Sequence, residues 1–238
     1  MVPDKYSQQT ESLEKSCGGK PADIVFALDA SSSIWGPDFK RQLKFVQDLI
    51  SIFTISEDAV RIGMMTFSDD PHDQFDLGNR TTMSSVKSSV GRVSQSLGGT
   101  RTDLALHAMH KEYFHKRHAR PGVVHIGIVI TDGNSEYQDE TALQAKYARD
   151  AGIYLFAIGV GQKVDIEELK KISSFPEDQY KYMVGNYSAL DSIKEMLAVE
   201  TCKVTTVPPS TTTQPTTTTT QPTTTTTTPP PADQGNTA

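Results

Sequence analysis

Short apolar runs alternate with amphipathic stretches from residue 24 to residue 199, and this alternation restricts the chain to one kind of architecture. Residues 24–28 are apolar throughout and bounded by Asp23 and Asp29, the pattern of a strand buried on both faces. Residues 39–53 follow, with Phe39, Leu43, Val46, Leu49, Ile50 and Phe53 at helical spacing. Residues 60–67 read as the next strand, and residues 72–77 as a strand entered through the Asp69-Asp70-Pro71 turn. Two helices are predicted over 82–93 and 103–118. The second half gives a strand over 123–130, a helix over 140–151 stopped by Gly152, and a strand over 154–160. A short helix over 165–172, a last strand over 180–184 and a last helix over 189–199 complete the series.

Strands joined by helices run parallel with right-handed crossovers, and only the tight link into residues 72–77 permits an antiparallel edge. The expected fold is therefore α/β: a doubly wound, mostly parallel six-stranded sheet with one antiparallel edge strand and helices on both faces. Ligands of such sheets bind outside the carboxyl ends of the strands, where the strand order reverses. Function is to be sought in the loops after Leu28, Leu97 and Ile130.

Composition marks off the folding part. Beyond Val204 the sequence turns to Thr and Pro, with too little apolar surface to offset the entropy of ordering the backbone. The division expected is an N-terminal flank over 1–22 that holds Cys17, one domain over 23–200, and a disordered Thr/Pro-rich tail over 201–238. The tail has the composition of O-glycosylated stalks or of a bare flexible linker. A net charge of -6 argues against nucleic acid, which needs a dominating basic face. No run of 18 apolar residues is present to span a membrane. Residues 2–20 carry no apolar signal region, which leaves open that the chain is a fragment whose Met1 is not the natural start.

The two cysteines, Cys17 and Cys202, flank the expected domain. That placement suggests a clasp closing nearly the whole domain as one loop, worth about 5 kcal/mol in the chain-entropy model. The alternative is two unrelated free thiols. A C-x-x-C motif is absent, which favours the bridge and with it an extracellular setting.

The loops at the carboxyl ends hold the chemistry. The first strand runs into Asp29-Ala30-Ser31-Ser32-Ser33, so one carboxylate and two hydroxyls at alternate positions can face one point. Before the third helix stands Gly98-Gly99-Thr100-Arg101-Thr102, where two glycines let backbone come close to a bound group and Thr100 adds a third hydroxyl. The strand over 123–130 ends in Thr131-Asp132-Gly133, which adds a second carboxylate. A donor set made only of oxygens suits a hard cation, Mg²⁺ or Mn²⁺, whereas zinc would want His or Cys. Two Asp side chains neutralise only the ion's own charge, so the metal stays electrophilic toward one more anionic oxygen.

Asp29-x-Ser31-x-Ser33, Gly98-Gly99-Thr100-x-Thr102 and Thr131-Asp132-Gly133, in this order and on these elements, resemble the metal-ion-dependent adhesion site of von Willebrand factor type A domains. The resemblance covers about residues 23–200, and all three parts of the motif are intact. It implies that Ser31, Ser33 and Thr100 coordinate Mg²⁺ (or Mn²⁺ or Ca²⁺) directly, and Asp29 and Asp132 directly or through water. The cysteine placement is similar to that of matrix and plasma members, and the overall flavour is matrilin-like or collagen VI-like. The implied function is a divalent-cation-dependent adhesion module of a secreted extracellular matrix protein, with collagen or another matrix protein as partner. The alternative is a structural component of a fibrous or calcified matrix whose domain serves assembly without capturing a ligand on the metal. A metal-dependent hydrolase is disfavoured, because no nucleophile with its base stands beside Asp29 and Asp132.

Weaker signals complete the reading. Trp35 lies two residues past Ser33, either at the rim of the site or covering the start of the next helix. His107, His110, His115 and His118 on one helix lack a His-Glu-x-x-His pattern and read as a solvated face. The cluster of Lys111, His115, Lys116, Arg117, His118 and Arg120 offers a basic surface that an anionic glycan would fit. Gly159-x-Gly161 lacks the third glycine of a dinucleotide loop. Asn79-Arg80-Thr81 and Asn186-Tyr187-Ser188 match the N-glycosylation acceptor pattern.

Overall fold

The computed structural model describes residues 21–116 and 119–206. Cys17 and the Thr/Pro-rich segment after residue 206 lie outside the described residues. Six strands form one sheet: β1 (Ala22–Asp29), β2 (Val60–Phe67), β3 (Pro71–Phe75), β4 (Val124–Thr131), β5 (Ile153–Val160) and β6 (Lys181–Val184). Their spatial order is β3-β2-β1-β4-β5-β6, with every neighbour parallel except the β2–β3 pair. The doubly wound sheet with an antiparallel edge is therefore the observed fold, and the winding reverses between β1 and β4.

The helices are α1 (Gly36–Ile50), α2 (Met83–Gly91), α3 (Thr102–Ala108), α4 (Gln138–Asp150), α5 (Ile166–Ile172), α6 (Glu177–Tyr180) and α7 (Lys194–Thr206). Alternation along each strand sorts the core into two layers. Ile24, Phe26 and Leu28 of β1 pack with α1, α2 and α7 on one face. Val25 and Ala27 pack with α3, α4 and α5 on the other. Both faces of β1 are thus dry, which is why its sequence is a continuous apolar run rather than an alternating one.

Two elements depart from the pattern read along the sequence. The helix expected over 103–118 is α-helical only to Ala108 and continues as a π-helix over Met109–Tyr113. Within it Tyr113 donates its hydroxyl to the Met64 carbonyl at 2.7 Å, and its ring fills the space above Gly63. The last helix expected over 189–199 opens as a 3₁₀ segment, Tyr187–Ile193, and its α-helical part runs on to Thr206. Cys202 therefore sits within α7 and in the core, not in a flank, because Leu197, Ala198, Thr201 and Cys202 share the buried face of that helix.

Arg120 also departs from its expected place in a basic surface cluster. Its guanidinium, 16% exposed, reaches the fully buried carboxylate of Asp23 at 2.8 Å and donates to the carbonyls of Ala22, Ala59 and Glu57. The backbone N–H of Arg120 completes the clamp on Asp23 at 2.7 Å. Arg120 thus closes the amino-terminal end of the sheet, and of the remaining cluster Lys111, His115 and Lys116 are exposed while Arg117 and His118 lie outside the described residues. Gly159 is likewise a packing residue: a Cβ there would meet Leu169 and Met183 at 2.6 Å each.

Candidate metal centre

The site lies at the carboxyl ends of β1 and β4, at the reversal of strand order. Asp29 is the last residue of β1 and is fully buried. Its Oδ1 accepts the Ser31 N–H at 2.8 Å and its Oδ2 accepts the Thr131 hydroxyl at 2.7 Å. These two bonds hold the carboxylate across the gap between the two strands. Burial pushes the Asp29 carboxyl above its ordinary range, the hydrogen bonds from Ser31 and Thr131 oppose this, and the nearby Asp132 adds to the rise.

Above Asp29 a chain of oxygens runs to the second carboxylate. Ser33 donates its hydroxyl to Asp132 Oδ1 at 2.7 Å, and the Ser31 hydroxyl lies 2.9 Å from that of Ser33. Since the one Ser33 hydrogen is given to Asp132, Ser31 is the donor to Ser33. Burial also raises the Asp132 carboxyl, against the bond from Ser33 and the charge of Lys163. Two carboxylates held close, each pushed toward its neutral form, gain the most from a positive ion between them.

Thr100 stands on the facing loop, and no hydrogen bond joins its hydroxyl to the other four among the described residues. The loop is nonetheless locked to the first. Ser32 N–H donates to the Gly98 carbonyl at 2.9 Å, Gly98 N–H donates to the Ser32 hydroxyl at 2.8 Å, and Leu97 N–H donates to the Ala30 carbonyl at 2.9 Å. The Gln95 amide reaches back to the carbonyls of Ser31 and Ile34. Thr100 N–H is held by Glu136 Oε1 at 3.1 Å, and the Gly99 N–H by Asp69 Oδ1 at 2.8 Å.

These contacts change the meaning of the glycine pair. The close approach that the sequence suggested for a bound group is made by the protein's own acids: a Cβ at Gly99 would sit 1.8 Å from Glu136 Oε1, and one at Gly98 would sit 2.5 Å from Asp69 Oδ2. Gly98 also has a φ of 111°, which side chains rarely adopt. The loop is held by Ser32, Gln95, Asp69 and Glu136, and the Asp29 carboxylate by Thr131, none of which the motif reading assigned a role. Ser32 and Thr131 were visible within the quoted motifs; the others carry no sequence signal, since their contacts are with distant residues. Arg101, the variable residue of the glycine loop, is clamped by both oxygens of Asp103 and lies over the Tyr137 ring at 4.4 Å.

Two buried oxygens below the site have no partner among the described residues: Gln42 Oε1, whose amide nitrogen donates to the Asp29 carbonyl at 3.0 Å, and the Tyr187 hydroxyl. Burial, then the charges of Asp132, Asp29 and Asp38, hold the Tyr187 phenol well above its usual range. Such orphan polar atoms beside two strained carboxylates are what a hydrated cation satisfies, so the donor set fits a hard ion. Among the described residues no group of three or more His, Cys, Asp and Glu side chains is assembled for a metal, in keeping with a site whose neutral donors are hydroxyls.

The remaining candidates fall elsewhere. Trp35 is 66% exposed and stands at the N-cap of α1. Asn79 is exposed between β3 and α2, and Asn186 is exposed while its Oδ1 caps the 3₁₀ segment by accepting Ala189 N–H at 3.1 Å. His107 and His115 are exposed, His110 is partly buried, and His118 lies outside the described residues.

Known proteins are similar to this chain in sequence and fold. Residues 23–196 match the model of the von Willebrand factor type A domain. Mouse matrilin-2 is 34% identical over 200 residues, covering 82% of this chain and 21% of the relative. Chicken matrilin-1 is 31% identical over 185 residues, 77% of this chain and 37% of the relative. The collagen α-1(XII) chain of Notophthalmus viridescens is 34% identical over 187 residues, 76% of this chain and 19% of the relative. The chain therefore spans well under half the length of these relatives. Among solved structures, proximal thread matrix protein 1 from the mussel byssus, with a zinc-occupied MIDAS motif, superposes with a TM-score of 0.71 at 26% identity, over 78% of this chain and 47% of that one. With a family model matched across most of its length, this chain belongs to the von Willebrand factor type A domain family.

Proposed function

We propose that this domain is a non-catalytic adhesion module of a secreted extracellular matrix protein, which binds a divalent cation and uses it to hold an acidic group of a partner. Asp29, Ser31, Ser33, Thr100 and Asp132 would hold Mg²⁺, with Mn²⁺ or Ca²⁺ as substitutes. The observation that carries the reading is the continuous chain from Ser31 through Ser33 to Asp132 above the buried Asp29 carboxylate. Once bound, the ion supplies electrostatic attraction for one further anionic oxygen. Among the described residues no side chain beside it has the arrangement of a nucleophile and base, because both carboxylates are engaged by hydroxyl and N–H donors.

The relatives named matrilins and collagens support a matrix setting, and a matrix protein such as collagen is the partner class to test. Immobilised matrix proteins are expected to retain the domain in Mg²⁺ and release it in EDTA. Retention equal in both would favour the alternative of an assembly domain that needs no metal. We further infer that Cys17 pairs with Cys202. Cys202 is disulfide-bonded, and Cys17 is the chain's other cysteine. Peptide mapping without reductant should recover the two in one cross-linked fragment, and alkylation of both as free thiols would disprove the pairing. Asn79 and Asn186 are proposed as glycan acceptors of the same secreted chain.

A further inference from the structure

One buried acid stands outside the donor set. Glu168 on α5 is 5% exposed, and among the described residues no salt bridge reaches it, although its neighbour Glu167 pairs with Lys170. A buried carboxylate is costly unless hydrogen-bond donors meet it. Here the donors come from Ser135, 33 residues away: its N–H reaches Oε2 at 3.1 Å and Oε1 at 3.3 Å, and its hydroxyl donates to Oε1. The fully buried Thr141 donates its own hydroxyl to Ser135 Oγ at 2.9 Å. One residue earlier, Asn134 Oδ1 accepts the N–H of Asp165, the cap of α5, at 2.7 Å.

What α5 holds in this way is the segment that places two of the proposed donors. Asp132 precedes Ser135 on the same loop, and Glu136 follows it directly. Glu136 grips Thr100 from both sides: its N–H donates to the Thr100 carbonyl at 3.0 Å, and its Oε1 accepts the Thr100 N–H at 3.1 Å. The place of Thr100 is therefore set through Glu136, and that of Glu136 through the fastened Ser135. Helix α5 is a firm anchor for this. Leu169 and Ile172 are buried in the second core layer, and Arg149 on α4 donates to the carbonyls of Lys171 and Ile172.

We infer that Glu168 is a positioning residue for the cation site, which fixes Asp132 and Thr100 at their working separation by holding Ser135 from beneath. The inference rests on the cation-site reading and adds to it a support on an element that contributes no donor. A carboxylate suits the task because it offers acceptors alone, so the N–H and the O–H of Ser135 are both met. Gln would put an NH₂ donor in place of one oxygen.

The test measures Mn²⁺ affinity of the full chain by calorimetry and, separately, amide hydrogen exchange in EDTA. Outer supports of metal ligands are worth about 10–100-fold in metal affinity, so Glu168→Gln and Ser135→Ala should each weaken Mn²⁺ binding by about tenfold or more. The double variant should be little weaker than either, because both changes remove the same contact. In EDTA the Thr100 amide should exchange faster in both variants, with the amides of β1 and β4 unchanged. Glu167→Gln, which removes the same charge at an exposed position beside Glu168, should bind Mn²⁺ as the unmodified protein does. Weakening in Glu168→Gln with normal affinity in Ser135→Ala would trace the effect to charge and overturn the positioning role, as would normal affinity in both. If Glu168→Gln fails to fold, the affinity and the Thr100 exchange of Ser135→Ala decide alone. Absence of Mn²⁺ binding in the unmodified protein would instead overturn the cation site, and the positioning role with it.

Discussion

Asp29→Asn is expected to abolish the cation-dependent rise in melting temperature and the cation-dependent capture of partner, while the apo domain stays folded. An ion present at 100 times its dissociation constant stabilises the native state by about 2.7 kcal/mol. For a domain of this size that is a shift of about 5–10 °C. The shift should appear in the wild type between EDTA and millimolar Mg²⁺ or Mn²⁺, and vanish in the variant. Asn is the informative replacement. From the sequence alone, Asp29→Ala is expected to leave the apo fold unharmed or slightly stabilised, since one of two repelling carboxylates is removed. The structure revises this: Asp29 accepts both the Ser31 N–H and the Thr131 hydroxyl, and Ala would orphan them in a buried place at about 1–3 kcal/mol. Asn keeps an acceptor and removes the charge. A wild type with no shift in millimolar Mg²⁺ or Mn²⁺ would dismiss the metal centre.

The largest loss of stability is expected at the other end of the same strand. Asp23→Ala leaves the Arg120 guanidinium without its counter-ion in a site 16% exposed, and removal of one partner from a buried pair costs about 3–5 kcal/mol. Arg120→Leu should cost at least as much, since three carbonyls also lose their donor. The double variant should lose less than the sum of the two, because the second change removes a charge already stranded by the first. Chemical denaturation of the four proteins measures this. A loss under about 1 kcal/mol for either single variant would mean that the pair behaves as a solvent-screened one.

Much of the fold was legible because both faces of the central strands are dry. Residues 24–28, 126–130 and 153–160 are apolar runs that only a doubly covered sheet accommodates, and the helices between them impose parallel order. Helix ends were less legible. The π-helix over Met109–Tyr113 and the extension of α7 to Thr206 are set by contacts with Met64 and with the core, which local propensity does not encode. At the site, Asp29, Ser31, Ser33 and Asp132 were readable because two neighbouring strands deliver them from their ends.

Their supports were not readable, and Asp23 and Asp29 show why. In the sequence these two residues are equivalent, each an acid bounding one apolar run. By itself the sequence determined that β1 is buried, that its ends carry charge, and that its carboxyl end faces a loop rich in hydroxyls. Only the tertiary structure decided that Asp23 meets Arg120, 97 residues away, and becomes a clamp, while Asp29 meets Thr131 and a second carboxylate and becomes part of the proposed cation site. The physical reason is that a buried carboxylate takes its role from the charge that reaches it, and which charge reaches it depends on the strand and loop folded alongside.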